Sequence, residues 1–174
     1  MTTPKIVRFF NNELRIGEAD ALFDEIMHWD DDRWELTHDF IQWVLPLDEP
    51  SNFNADAPIL TLREIEDYKL VLAPGVYRAA IRFTQFLGLD YDDVVIKRSF
   101  LSSDSLWVNF NHNWLRITRC LRSLRLFSFD PRVKTLMTTF YAFLVEMFND
   151  GFDDATTLKY WTDAVQKSAP WEKV

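Results

Sequence analysis

The stretch NHNWLRITRCLRSLRL, residues 111–126, decides the fold class. Ile117, Cys120, Leu121 and Leu124, with Phe127 just beyond, recur at the three- and four-residue spacing that gathers side chains on one face of an α-helix. Arg116, Arg119, Arg122 and Arg125 fall on the other side. The pattern predicts an amphipathic helix over about Asn111 to Phe127. Its guanidinium groups read in two ways: as a solvated face paired with the chain's own carboxylates, or as a cation field that grips carboxylates or phosphates through bidentate hydrogen bonds.

The same period continues on both sides. Downstream, Asp130 with Pro131 is an N-cap and first-turn pair that opens a helix through Val133, Leu136, Met137, Phe140, Leu144 and Met147, stopped by Gly151. A last helix is predicted over about Asp154 to Lys167, burying Leu158, Trp161 and Val165. Upstream, Pro74 is expected to open a helix that Gly88 closes, and the Thr61/Glu64 capping box places a short helix over Leu62 to about Leu70. LPLDEPSNFNADAPIL, residues 45–60, holds Pro46, Pro50 and Pro58 and reads as an irregular ordered loop pinned by Phe53. Before it, the acidic cluster Asp30 to Asp32 suits the start of a helix running through Trp34, His38, Ile41 and Leu45 to Pro46. A weakly amphipathic helix is expected over Glu18 to His28. In Leu89 to Phe110, YDDVVIKRSF and SLWVNF fit a short helix or an extended piece equally. No stretch alternates apolar and polar residues long enough for a convincing strand. The expectation is an all-α, single compact domain of about six or seven helices over residues 1–170, with a short tail at 171–174.

Composition bounds the function. Of 174 residues, 48% are hydrophobic and 26% charged, with 4 Gly and 7 Pro, so disordered and low-complexity classes are excluded. The net charge of −8 rules out a uniformly basic surface that wraps nucleic acid, and any anion site has to be local. Cys120 has no cysteine to pair with, and the opening MTTPKIVRFF lacks the order of a signal segment, so a soluble protein in a reducing, intracellular and cytoplasmic compartment is expected. No run approaches the roughly 18 consecutive apolar residues of a membrane span. The 15 Phe, 7 Trp and 5 Tyr belong either to a ring-rich helical core or to a ligand groove.

On a helical plot, Trp34 to Leu45 is apolar around most of its circumference. A narrow polar stripe holds Glu35, His38, Asp39 and Gln42. That stripe is either a window on solvent or the wall of an internal polar pocket. His38 and Asp39 form a His-Asp pair with His28 upstream, which raises a metal-dependent hydrolase as the runner-up function. Only ten residues separate the two histidines, however, which leaves little room for the connection between ligand helices. Three scattered histidines and one cysteine show no zinc-ligand spacing, and Gly-rich phosphate loops and G-x-S-x-G elbows are absent from the sequence. Cys120 sits on the apolar face as a core residue rather than a nucleophile. No cofactor or metal is expected.

THDFIQWVLPL (Thr37 to Leu47), FNADAPIL (Phe53 to Leu60) and NHNWLRITRCLRSLRL (Asn111 to Leu126) together resemble the conserved region of the opioid growth factor receptor family. The likeness extends to RFFNN near the start and TLKYWTDAV near the end. It departs mildly from the family pattern at Phe40, Val44, Leu45 and Cys120. The resemblance implies an α-helical domain of proteins described as receptors for a small opioid peptide and linked to the nucleus and to membranes. Peripheral membrane association enters only through it. Because the chain ends soon after the conserved region, short of the repeat extension of mammalian relatives, neither peptide-receptor nor growth-control roles are expected of it.

The motifs that carry the likeness contain the polar residues isolated by the helical plots. His38, Asp39 and Gln42 are therefore expected to face Asn111, His112, Arg116 and Arg119 across a cleft, with Trp43 or Trp114 as an aromatic wall. Such a cleft would form an anion or peptide-carboxylate pocket. The alternative keeps the geometry without a ligand: Asp39 pairs with an arginine, His38 with a backbone carbonyl, and the cluster locks the helices together. The expected function is non-enzymatic binding of a peptide or protein.

Overall fold

The computed structural model describes residues 2–93, 95–98, 111–149 and 155–173. Nine helices occur among them: α1 (Lys5–Phe10), α2 (Phe23–Met27), α3 (Asp31–Leu36), α4 (Ile41–Val44), α5 (Leu62–Asp67), α6 (Lys69–Phe86), α7 (His112–Leu126), α8 (Pro131–Asn149) and α9 (Ala155–Gln166). The all-α expectation holds. The single departure among the described residues is a two-stranded antiparallel hairpin, β1 (Leu89–Tyr91) with β2 (Ile96–Arg98), in the segment whose period was ambiguous. Asp92 and Asp93 make its turn: the Asp92 carboxylate accepts the Val95 amide at 2.8 Å, and Asp93 takes φ 69°, a conformation Asp tolerates better than most residues. SLWVNF, the Gly151 stop and Asp154 lie outside the described residues.

α7 is the spine. α9, α8 and α6 pack against it, and Ile117, Cys120, Leu121 and Leu124 disappear into the core they share. The polar tips of buried tryptophans are satisfied by main chain, as when Trp161 Nε1 donates to the Trp114 carbonyl at 3.3 Å and Trp34 Nε1 to the Ile26 carbonyl at 3.0 Å. Most rings are therefore core. Phe9, Phe10, Phe23 and Trp43 form one largely edge-to-face cluster, and Trp29, Trp34, Phe40, Phe83 and Phe86 a second in which Phe40 meets both tryptophans edge to face and Phe83 stacks on Trp34 and Phe86.

Several helix boundaries are corrected. The helix expected over Glu18–His28 shrinks to α2, because the Ile16–Ala21 bridge folds the preceding residues into a turn. α1, not anticipated, packs on α6 where the Phe10 ring closes on Gly75, so near that a Cβ there would sit 2.3 Å from Phe10 Cδ1. Pro74 sits inside α6 rather than at its start. Pro74 and Leu70, whose carbonyl loses its helical partner, are both exposed, so water can serve that oxygen. The Thr61/Glu64 capping box, the Asp30 N-cap and the Gly88 stop after α6 are all present.

The correction that matters most is at Thr37–Phe40. The helix predicted from Asp30 to Leu45 breaks there into α3 and α4, which raises the helix number above the expected six or seven. Long-range bonds replace helical ones. Arg116 takes the Trp34 and Thr37 carbonyls at 2.9 Å each, the Asp39 carboxylate accepts the Glu18 amide at 2.6 Å, and Asn54 Nδ2 donates to the Asp39 carbonyl at 3.1 Å. The turn also lets Trp34 and Phe40 meet edge to face at 4.8 Å, so both bury fully.

Candidate functional site

The arginines of α7 do not form a solvated face. Each reaches for a chain end or a carboxylate of another element. Arg116 holds the end of α3 through the two carbonyls above, and its Nη1 also meets Asn113 Oδ1 at 3.2 Å. Arg119 Nη1 donates to the carbonyl of Leu45, the C-cap of α4, at 3.0 Å. Ser123 Oγ takes the next carbonyl, Pro46, at 3.0 Å. Arg122 Nη1 donates to the Lys167 carbonyl beyond α9 at 2.8 Å, while its Nη2 grips both Asp48 oxygens at 3.1 and 2.9 Å. Arg125 closes the series on Glu172. Helix C-termini carry orphan carbonyls and partial negative charge, so guanidinium groups there satisfy bonds and complement the dipole together.

Between this frame, the 46–60 strap and α9 lies an open cleft of about 750 Å³. The strap closes on itself where the Leu60 amide donates to the Leu47 carbonyl at 2.8 Å, and Lys167 Nζ to Glu49 Oε2 at 2.5 Å ties it to α9. Phe53, expected to pin the strap, instead stands 80% exposed on the rim, because Asn54 and the Leu47–Ile59 bridge do the anchoring.

Of the residues singled out from sequence, His38, Gln42, His112, Arg116 and Arg119 line this one cleft, although they come from segments some seventy residues apart. Asp39, Trp43 and Asn111 do not. Asp39 turns toward Gly17 and Glu18, where only a glycine permits the approach: a Cβ at Gly17 would sit 2.7 Å from Asp39 Oδ2, and φ there is +70°. Trp43 packs on Phe9 in the core at 5.7 Å. Asn111 caps α7, its side chain accepting from the Asn113 amide at 3.0 Å. Trp114 is buried beside Trp161. Phe53, Leu115, Tyr160 and Lys167 line the cleft and were not anticipated in that role. Leu115, an apolar residue on the polar side of the α7 plot, was the one available sign.

Burial sets the electrostatics. It pushes the Arg119 guanidinium down to about 10, against the opposing pull of Glu49, so the group stays charged at neutral pH while poorly solvated. Arg116 is lowered for the same reason, with Glu35 resisting. The His112 imidazole is depressed by desolvation and then by Arg116. Glu35, whose Oε1 lies 3.3 Å from His112 Nε2, opposes that, and His38, with ring centre 5.5 Å away, adds to it. Among the described residues, two buried side-chain polar atoms lack partners: Gln42 Oε1 and Arg122 Nε. His38 and Asp39 have separate surroundings, and no grouping of three or more His, Cys, Asp or Glu suited to a metal occurs among the described residues.

The conserved region described for the opioid growth factor receptor matches residues 3–173. The opioid growth factor receptor of Homo sapiens is 35% identical over 133 residues, covering 70% of this chain and 19% of that protein. The receptor of Rattus norvegicus is 34% identical over 126 residues, 67% of this chain and 22% of the relative. Opioid growth factor receptor-like protein 1 of Mus musculus is 28% identical over 128 residues, 68% of this chain and 27% of the relative. The matched region thus spans about a fifth to a quarter of the length of these relatives. No solved structure matches the chain.

Proposed function

This chain belongs to the opioid growth factor receptor conserved-region family, and from that premise we propose that it is a non-enzymatic binding module whose cleft receives an anionic segment of a peptide or protein. The observation that carries the reading is Arg119. It stands in the open cleft held by one carbonyl, with no carboxylate within 4 Å among the described residues. A charged group left short of partners in a desolvated wall favours an incoming anion. The relatives are named as receptors, which agrees with binding rather than catalysis. No helix among the described residues is long and apolar enough to cross a membrane.

Nucleic acid is the poorer partner, since Arg116 and Arg122 are buried in the frame and present no basic stripe to a phosphate backbone. The test is to pan a random peptide library against the immobilised full chain and against Arg119→Gln. Acidic peptides retained by the first and depleted at least tenfold on the second, at similar melting temperatures, are the expected result. Equal retention by both would overturn the proposal.

A further inference from the structure

The valences of the cleft's cations narrow the ligand further, given the binding reading above. Arg116 uses both Nη atoms on Trp34, Asn113 and Thr37. Arg122 uses both on Asp48 and the Lys167 and Ser168 carbonyls. Lys167 is paired with Glu49. Arg119, with a single hydrogen bond to Leu45, is the cleft guanidinium with an Nη to offer, whereas Arg122 keeps only its buried Nε unpartnered.

One guanidinium edge matches the two oxygens of a carboxylate. A phosphate dianion has more charge and more acceptor oxygens than that single group can answer, and its sites usually combine several cations or backbone amides. Beside Arg119 in the same cleft, Gln42 is 95% buried with Oε1 unpartnered, an acceptor that calls for a donor. A peptide N–H supplies one; a fully ionised phosphate does not. The walls are apolar on both flanks: Ile41, Leu47 and Phe53 toward the strap, and Leu115, Tyr160 and Ala164 toward the helices. Apolar side chains before and after the acid fill both, whereas a chain-terminal carboxylate has neighbours on one side only.

We infer that the occupant is an internal Asp or Glu side chain within an apolar-flanked segment of a partner protein, its carboxylate on Arg119 and a neighbouring backbone amide on Gln42. The probes are end-blocked heptapeptide libraries with apolar residues varied on both sides of a fixed centre, either Glu, Gln or phosphoserine. A fourth library has no internal acid and a free C-terminal carboxylate. The immobilised full chain should capture the Glu library at least tenfold over Gln, and ahead of the other two. Arg119→Gln should erase that preference. Phe53→Ala, at an exposed rim position that leaves folding alone, should lower capture of the Glu library several-fold. Equal capture of Glu and Gln, or first place for phosphoserine or the free terminus, overturns the inference while leaving a binding cleft in place. Capture of no library would overturn the binding reading along with it.

Discussion

Asp48 and Arg122 form an ion pair in which Nη2 faces both carboxylate oxygens, at 3.1 and 2.9 Å, with only 4% of the arginine side chain and 17% of the aspartate exposed. The arginine's other Nη holds the chain leaving α9, so the pair clamps the strap to that exit. Asp48→Asn removes the compensating charge and leaves a buried guanidinium. Breaking one side of such a pair costs about 3–5 kcal/mol. At roughly 2–4 °C per kcal/mol for a chain of this size, thermal denaturation should show a fall of roughly 10 °C. A fall below about 2 °C would mean that the partner charge contributes little.

Gly75 is where α1 seats on α6. Gly75→Ala places a methyl group 2.3 Å from Phe10 Cδ1, so α1 has to shift or the ring has to move. Overpacking of this kind costs about 1–3 kcal/mol. The loss should shrink in a Phe10→Ala background, because the two positions share one contact. Urea unfolding of the single and double variants checks this, and strict additivity would contradict the packing described.

Cys120 is fully buried on the apolar side of α7, and burial raises its thiol well above the ordinary range. Iodoacetamide at pH 8 should leave the folded protein unmodified by intact mass over an hour. Addition of guanidinium chloride should bring complete single alkylation. Rapid labelling without denaturant would show that the spine opens on that timescale.

The His112 imidazole is held below its ordinary value by desolvation and Arg116, while the unfolded chain takes up that proton near pH 6.5. The unfolded state therefore binds more protons as pH falls. The share of stability tied to neutral His112 is intact above about pH 6.5 and declines as pH drops toward the lower folded midpoint. Urea titrations from pH 8 to 5 should show a shallower acid limb for His112→Gln than for the parent chain. Identical limbs would assign the acid sensitivity to other groups.

Helical periodicity revealed α7, α8 and α9 in the sequence because each turns one apolar stripe to a shared core, and local spacing suffices for that. The capping box at Thr61 and the glycine after α6 were legible for the same local reason. The break at Thr37–Phe40 was not. It depends on Arg116 and Glu18, which lie far from it in the chain, and no window of local sequence contains them. The meeting of His38 and Gln42 with His112, Arg116 and Arg119 was expected from the polar stripe of one largely apolar segment and the charged face of an amphipathic helix. Asp39 belonged to that same polar set, yet its carboxylate is drawn to the turn at Gly17. The inward aim of the arginines was hidden because a charged row looks alike in sequence whether it faces water or the ends of other helices.

A single helix supplies the hooks that hold the end of α3, the end of α4, the start of the strap and the exit of α9, and the last three border the cleft. Its width is accordingly set in large part by one rod, while the strap's own ties at Asn54 and Glu49 hold the far rim. Phe53, Leu115 and Tyr160 stand outside this scaffolding. They can be exchanged to retune what enters without loosening what keeps the opening in shape.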